Sequence, residues 1–321
     1  MKKVEIGNKE ENQRLDKFLF KYFNDAPKSF VYKMLRKKRI KLNSQKAEGS
    51  EILNSGDFIE MYLADETMDK FMSAKEVLPI VKRFNVIYED ENLLVVSKPA
   101  GLLCHSDLKE DKDTLINQIL FYLSSKGEYV PKAESSFTPA LANRLDRNTS
   151  GIVFCGKNLA ALQDINRVIA EKKVEKLYYA LVLGKVLKEG ELKNFYSKDE
   201  KANKAFISKD DSTTEVCLRY RPLKAIKEYS LLEIKLITGK SHQIRLQLKE
   251  AGHPIAGDRK YGDLSTNIYF KENFGLAHQF LHAGEIKWES KEGFLSYLYG
   301  KEFDSPLPLK LSKIEKSVFD K

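Results

Sequence analysis

Asp146 sits in the densest cluster of reactive side chains in the sequence, Asn143-Arg144-Leu145-Asp146-Arg147-Asn148-Thr149-Ser150-Gly151, directly before an apolar run. An aspartate between two arginines is either a structural ion-pair residue at a turn or a carboxylate kept for nucleophilic or general-base work. Other constellations narrow the chemistry. Thr238-Gly239-Lys240-Ser241 has the end of a phosphate-binding loop, but Ile234 stands where its first glycine belongs. No G-x-S-x-G elbow occurs. His105, His242, His253, His278 and His282 are dispersed, and the last two, although four apart, have no H-E-x-x-H context. Cys104, Cys155 and Cys217 are scattered singly, which gives neither a disulfide framework nor a zinc site. A glycoside-cleaving role would need a second carboxylate beside Asp146, and no convincing partner is visible.

The elements that must position this cluster fall into two groups. Leu15, Phe18, Leu19 and Phe23 recur at helical spacing from Arg14 to about Phe23, and Val31, Met34 and Leu35 form a second stripe after Pro27-Lys28-Ser29. Ile40 and Leu42 alternate with Arg39 and Lys41, and Phe58 to Leu63 follow Gly56-Asp57. This predicts a small helix-helix-β module over residues 1–65. Residues 66–80 are polar and irregular and read as a linker, leaving 81–321 for the main domain. There, Val86 to Pro99 reads as two strands around an acidic turn, and further strands are expected at 151–155, 177–183 and 231–237. A helix carries Ala161, Leu162, Ile165, Val168 and Ile169, and another should be capped by Ser241 and turn Ile244, Leu248 and Ala251 inward before Gly252. The stretch 188–211 is lysine-rich and weakly patterned, and reads as a surface excursion. Strands and helices alternate without a regular βαβ rhythm, so the expected class is α+β.

Charge points to a polyanionic partner. The 321 residues carry 55 Lys and Arg against 46 Asp and Glu, a formal net charge of +9. From Lys28 to Lys46 there are eight cationic residues and no acidic one, and Lys33, Arg36 and Lys37 fall on one face of the second predicted helix, with Arg39 just beyond it. Phosphates suit such a face. No apolar segment has the length of a signal peptide or a membrane span, so the cytoplasm is the expected compartment.

The cluster around Asp146 resembles the catalytic motif H-R-L-D-x-x-T-S-G of the RluA family of pseudouridine synthases, with Asn143 in place of the usual histidine. Further segments resemble the family in order: Leu93 to Gly101, Lys176-Leu177-Tyr178-Tyr179-Ala180, Thr238 to Arg245, Gly252 to Asp258 with Tyr261-Gly262, and Leu281-His282-Ala283. Residues 1–65 are similar to the αL RNA-binding domain named after a small-subunit ribosomal protein. The resemblance implies a mixed, largely antiparallel sheet with flanking helices, and isomerisation of uridine in structured RNA. It makes Asp146 the nucleophile, Arg245 its forked ion-pair partner and Tyr178 a platform for the target base and a possible aid to proton removal, and leaves Arg144 and Arg147 to touch neighbouring phosphates. It implies neither a metal nor a redox cofactor. The αL module joined to this catalytic type resembles enzymes of large-subunit (23S) ribosomal RNA, with a monomer as the default state. Two other readings remain open, a synthase acting on transfer RNA and a non-catalytic RNA-binding or ribosome-assembly factor on the same scaffold.

Overall fold

Two β-sheets with separate apolar cores organise the chain in a computed structural model that describes residues 1–7, 10–72, 79–106, 112–130, 137–199, 204–208, 210 and 212–320. The first is a four-stranded antiparallel sheet in the order β1-β4-β2-β3, built from β1 (Lys2–Glu5), β2 (Ile40–Leu42), β3 (Gln45–Lys46) and β4 (Phe58–Met61). Helices α1 (Leu15–Tyr22) and α2 (Lys28–Arg36) pack Leu15, Phe18, Leu19, Val31 and Leu35 into its core, as their apolar spacing predicts.

The expected linker is partly helical. Residues Asp65–Phe71 form α3, which buries Met68 in the amino-terminal core and sets Phe71 against Phe30 with ring centroids 4.5 Å apart. Met68, Phe71 and Met72 recur at i, i+3 and i+4, and Asp65 and Glu66 suit the positive end of the helix. The surrounding charges hide that three-residue pattern. Residues 73–78 of the proposed linker lie outside the described residues.

The second sheet has eleven strands and runs from residue 85 to 304. Its strands are β5 (Asn85–Glu89), β6 (Leu93–Lys98), β7 (Ala140–Leu141), β8 (Ser150–Gly156), β9 (Val174–Leu183), β10 (Gly190–Asp199), β11 (Lys204–Ser208), β12 (Thr214–Ala225), β13 (Tyr229–Leu236), β14 (Leu281–Trp288) and β15 (Glu302–Asp304). The order is β11-β10-β12-β13-β9-β14-β8-β6-β5, with β15 against β14 and β7 against β8. Helices α4 (Leu115–Ser125), α5 (Leu159–Ala170), α6 (Gln243–Glu250), α7 (Leu264–Phe274) and α8 (Leu309–Phe319) flank it. Among the named strands only β8 and β14 pair in parallel, so the fold is α+β with a mixed, largely antiparallel sheet. No helix among the described residues is long and apolar enough to cross a membrane.

The 188–211 stretch extends the sheet instead of leaving it. β10 pairs with both β12 and β11, with Leu192, Asn194 and Tyr196 turned inward while Glu191 and Lys193 face out. The outward positions carry the charges that obscure the period of two, and lysines are common on such edges because they discourage pairing with other chains.

Asp146 lies four residues before β8, whose parallel neighbour dictates close contact. β8 is buried throughout, as a strand covered on both faces must be, and Gly151 pairs with Ala283. Gly151 has φ +121°, and a Cβ there would lie 2.1 Å from the Ala283 carbonyl oxygen. Only glycine fits. Gly151→Ala is therefore expected to destabilise the protein by about 3 kcal/mol, through backbone strain and forced separation of β8 from β14. A shift of denaturant midpoint equivalent to less than about 1 kcal/mol would show that the two strands can separate freely.

Candidate active site

The loop carrying Asp146 is held from several sides before any catalytic role is considered. Residues 146–149 form a turn in which Thr149 N–H donates to the Asp146 carbonyl at 3.1 Å. The fully buried Lys98 amine donates to the carbonyls of Pro99, Leu102 and Arg147 at 3.0, 2.8 and 3.0 Å, and Gly101 N–H donates to the same Arg147 carbonyl at 2.8 Å. Burial lowers the lysine pKa to about 8, against the opposing charges of Cys104 and Asp146. The Leu145 N–H donates to Cys104 Sγ at 3.4 Å, and Gln279 Nε2 donates to Thr149 Oγ1 at 3.2 Å. Asn143, which departs from the family pattern, accepts from Phe154 N–H at 2.8 Å and donates to the Ile152 carbonyl at 3.2 Å. Its amide thus mimics a strand neighbour for β8.

Next to the loop, His282 is completely buried, with Nδ1 2.8 Å from Ser150 Oγ and Nε2 2.7 Å from the Ser305 carbonyl. A carbonyl can only accept, so Nε2 carries the proton and Nδ1 accepts from the serine hydroxyl. This histidine joins β8 to the segment after β15.

Arg245 projects from α6 and meets two carboxylates. Its Nη1 donates to Asp146 Oδ2 at 2.7 Å, while Nε and Nη2 donate to Asp258 Oδ2 and Oδ1 at 2.7 and 2.9 Å. The expected fork between Arg245 and Asp146 is corrected here: the two-toothed contact goes to Asp258, and Asp146 receives a single bond. Asp258 is fully buried and also accepts from Lys260 and Tyr261 N–H groups, so it is itself fixed where it anchors the Nε–Nη2 edge of the guanidinium. Both carboxylates raise the Arg245 pKa against burial. Asp146, with a quarter of its side chain exposed, keeps an oxygen available to a ligand. The arginine lies over the Tyr261 ring, whose hydroxyl hydrogen-bonds His242 Nδ1 at 3.1 Å.

The start of α6 also differs from the sequence expectation. Ser241 does not cap it. The helix begins at Gln243 after His242, which has φ 58° in the left-handed region. Gln243 Oε1 accepts from Lys240 N–H and Thr238 Oγ1 at 3.1 and 2.9 Å, tying the preceding loop to the first residue of the helix, while the Ser241 hydroxyl pairs with Tyr196. Ile244 and Leu248 are buried as predicted, but Ala251 is exposed at the helix end.

Asp146 stands between two clefts that share Arg144, Asp146, Lys240, His242 and Arg245. One, of about 520 Å³, is lined also by Lys176, Tyr178, Leu236, Ile244 and Leu281. The other, of about 500 Å³, opens toward His105, Arg147, Lys198 and Ser241. Both volumes fall in the range that holds small organic groups. Tyr178 is almost wholly buried beside the first cleft, and burial together with the Asp146 charge raises its phenol pKa. The protonated phenol is therefore the form present, which suits a stacking platform and disfavours a phenolate base. Arg144 and Arg147 are exposed, and Arg147 Nε also donates to the Gly101 carbonyl at 3.3 Å.

The structure thus brings Asp146, Arg245, Tyr178, Arg144 and Arg147 to one place. Lys33, Arg36, Lys37 and Arg39 belong to the first sheet's module, where all four are exposed and, among the described residues, none is in a salt bridge. Sequence reasoning missed Asp258 and Lys98 as positioning residues, although both occupy motif segments. Their signal was a charged residue inside an otherwise apolar or glycine-rich run. Among the described residues no group of three or more His, Cys, Asp and Glu side chains is placed to hold a metal ion.

The family profile described as RNA pseudouridylate synthase matches residues 92–250, which contain Asp146, Tyr178 and Arg245. A Mycoplasma pneumoniae protein described as an uncharacterized RNA pseudouridine synthase is 32% identical over 87% of this chain and 85% of its own length. The chain belongs to the RluA family of pseudouridine synthases. It is an RNA-modifying isomerase. The synthase is also 29% identical, over 97% of its length and 94% of the relative, to a ribosomal large subunit pseudouridine synthase C of Vibrio parahaemolyticus. In fold it resembles human RNA pseudouridylate synthase domain containing 4, with a TM-score of 0.53, 20% identity and coverage of 71% of this chain and 90% of the human one.

Proposed function

We propose that the synthase isomerises uridine in large-subunit ribosomal RNA with Asp146 as its nucleophile. The observation that carries this reading is the asymmetric clamp: Arg245 is fixed by its Nε–Nη2 edge to Asp258 and offers one N–H to Asp146, whose carboxylate faces a nucleoside-sized cleft. A reacting group held by one bond keeps its second oxygen free to attack.

In the reaction the bond from the ribose C1′ to uracil N1 breaks, the base turns, and C1′ joins carbon five. Carbon five loses a proton and N1 gains one, so composition is unchanged. Asp146 attacks or steers the detached intermediate, Arg245 aims it, and Tyr178 stacks on the base. The target nucleotide must leave its stack, at a cost of a few kcal/mol, which favours uridines in loops or distorted helices. Lys33, Arg36, Lys37 and Arg39 offset that cost by holding nearby phosphates, with Arg144 and Arg147 at the cleft rim. The ribosomal substrate is supported by the large-subunit name of the Vibrio relative and by the basic module that precedes the catalytic sheet.

Mapping pseudouridine in RNA from cells with and without the synthase tests the substrate. Loss of one or more sites in large-subunit ribosomal RNA is the expected result. Losses confined to transfer RNA would overturn the ribosomal reading and leave the isomerase intact.

A further inference from the structure

Lys176 is a cation without a hydrogen-bond or ion-pair partner among the described residues. It lies on β9 two residues before Tyr178, on the same face, and both line the 520 Å³ cleft. Its ammonium reaches across toward the Thr238 to His242 loop: Nζ would lie 3.9 Å from a Cβ built on Gly239. The side chain is partly buried, and that burial lowers its pKa. Among the described residues no carboxylate pairs with it and no hydrogen bond meets it. Adjacent carboxylates are engaged elsewhere, Glu175 with Lys235, Glu302 with Lys287, and Asp146 with Arg245. The neighbouring Lys235 and Lys287 have partners, and among the described residues Lys176 has none.

Removing water from an ammonium without supplying an anion is unfavourable, so a protein that keeps such a group gains from it only when an anion arrives. In this cleft the anion's chemistry is restricted. A uridine supplies none, but the chain that carries it supplies one phosphate per nucleotide. Two residues along a strand span about 7 Å, which is comparable to the reach from a stacked base across its ribose to its own phosphate. A base on Tyr178 therefore places a phosphate near Lys176.

We propose that Lys176 binds the backbone phosphate of the nucleotide inserted against Asp146. The inference rests on the reading of this cleft as the nucleotide site. Lys176 is a binding residue that sets how deeply the nucleotide enters, while Arg144, Arg147 and the amino-terminal cations hold phosphates outside.

The test is tritium release from a large-subunit ribosomal RNA transcript labelled at carbon five of uridine, measured across a salt series with wild type, Lys176→Met and Lys176→Arg. Loss of one phosphate contact should lower kcat/KM of Lys176→Met about tenfold at low salt and flatten the slope of its logarithm against log salt by about 0.7 to 0.9. Lys176→Arg should recover most of both. Because the wild-type charge is unpaired, Lys176→Met should also unfold at the same or a higher denaturant concentration. A slope equal to wild type overturns the proposal, however slow the variant is. So does a lowered unfolding midpoint accompanied by failure of arginine to rescue, which would make Lys176 structural. Asp146→Asn run beside them separates the two readings, since tritium release by that variant would remove the nucleotide site itself. If wild type releases tritium only from transfer RNA, the ribosomal assignment falls and the same series on transfer RNA decides the role of Lys176.

Discussion

Asp146→Asn should release no tritium from RNA labelled at carbon five, a loss on the order of 10⁴-fold or more, while folding and binding RNA as wild type does. The amide is nearly the same shape but a poor nucleophile. The stability expectation follows from the clamp. Arg245 keeps both bonds to Asp258 when Asp146 is neutralised, so no buried charge is left alone, and the change in unfolding free energy should stay within about 1 kcal/mol. Tritium release within tenfold of wild type would remove Asp146 from its role.

Asp258→Asn should behave in the opposite way. It breaks a fully buried pair and leaves the Arg245 guanidinium with only the half-open Asp146, at an expected cost of about 3 to 5 kcal/mol. Activity should fall as well, roughly 10²-fold in kcat with KM little changed, because a freed arginine can close on Asp146 with both edges and occupy its attacking oxygen. The acid limb of stability supplies a second readout. Burial alone would raise the Asp258 pKa, but the hydrogen bonds and charge of Arg245 overcome it and leave the carboxyl below its usual value. A carboxyl lowered in this way stabilises the fold fully above about pH 4 and stops doing so as the pH drops through the folded-state value. The variant should therefore lose less stability than wild type between pH 4 and the acid transition. An unchanged acid limb, or a denaturant midpoint equal to wild type, would show that Arg245 is anchored by something other than Asp258.

Legibility in the sequence followed the physical signals available. Strands β8, β9 and β13 and helix α5 could be read because each is buried by a continuous or strictly periodic apolar pattern. α3 and β10 could not, since their inward residues are few and alternate with lysine, aspartate and glutamate that dominate the composition. The cluster around Asp146 was legible as a motif, and the partner Arg245 came with another motif. What the residues could not convey was who holds whom. Asp258 and Arg245 are thirteen positions apart, and no local rule distinguishes a fork to Asp258 from a fork to Asp146. Ser241 looked like a helix cap by type, but the helix starts after a left-handed turn at His242, and no side chain caps it.

Some of the partners that hold the Asp146 loop come late in the chain: Arg245 lies 99 positions beyond it, while Gln279 and His282 lie 130 and 132 beyond Thr149 and Ser150. During synthesis the motif therefore leaves the ribosome well before these anchors do. Until α6 and β14 have been added, a nascent chain has Asp146 on a loop that only Lys98, Gly101 and Cys104 can hold, without the guanidinium of Arg245. The full set of anchors is complete only when translation has delivered the last third of the polypeptide.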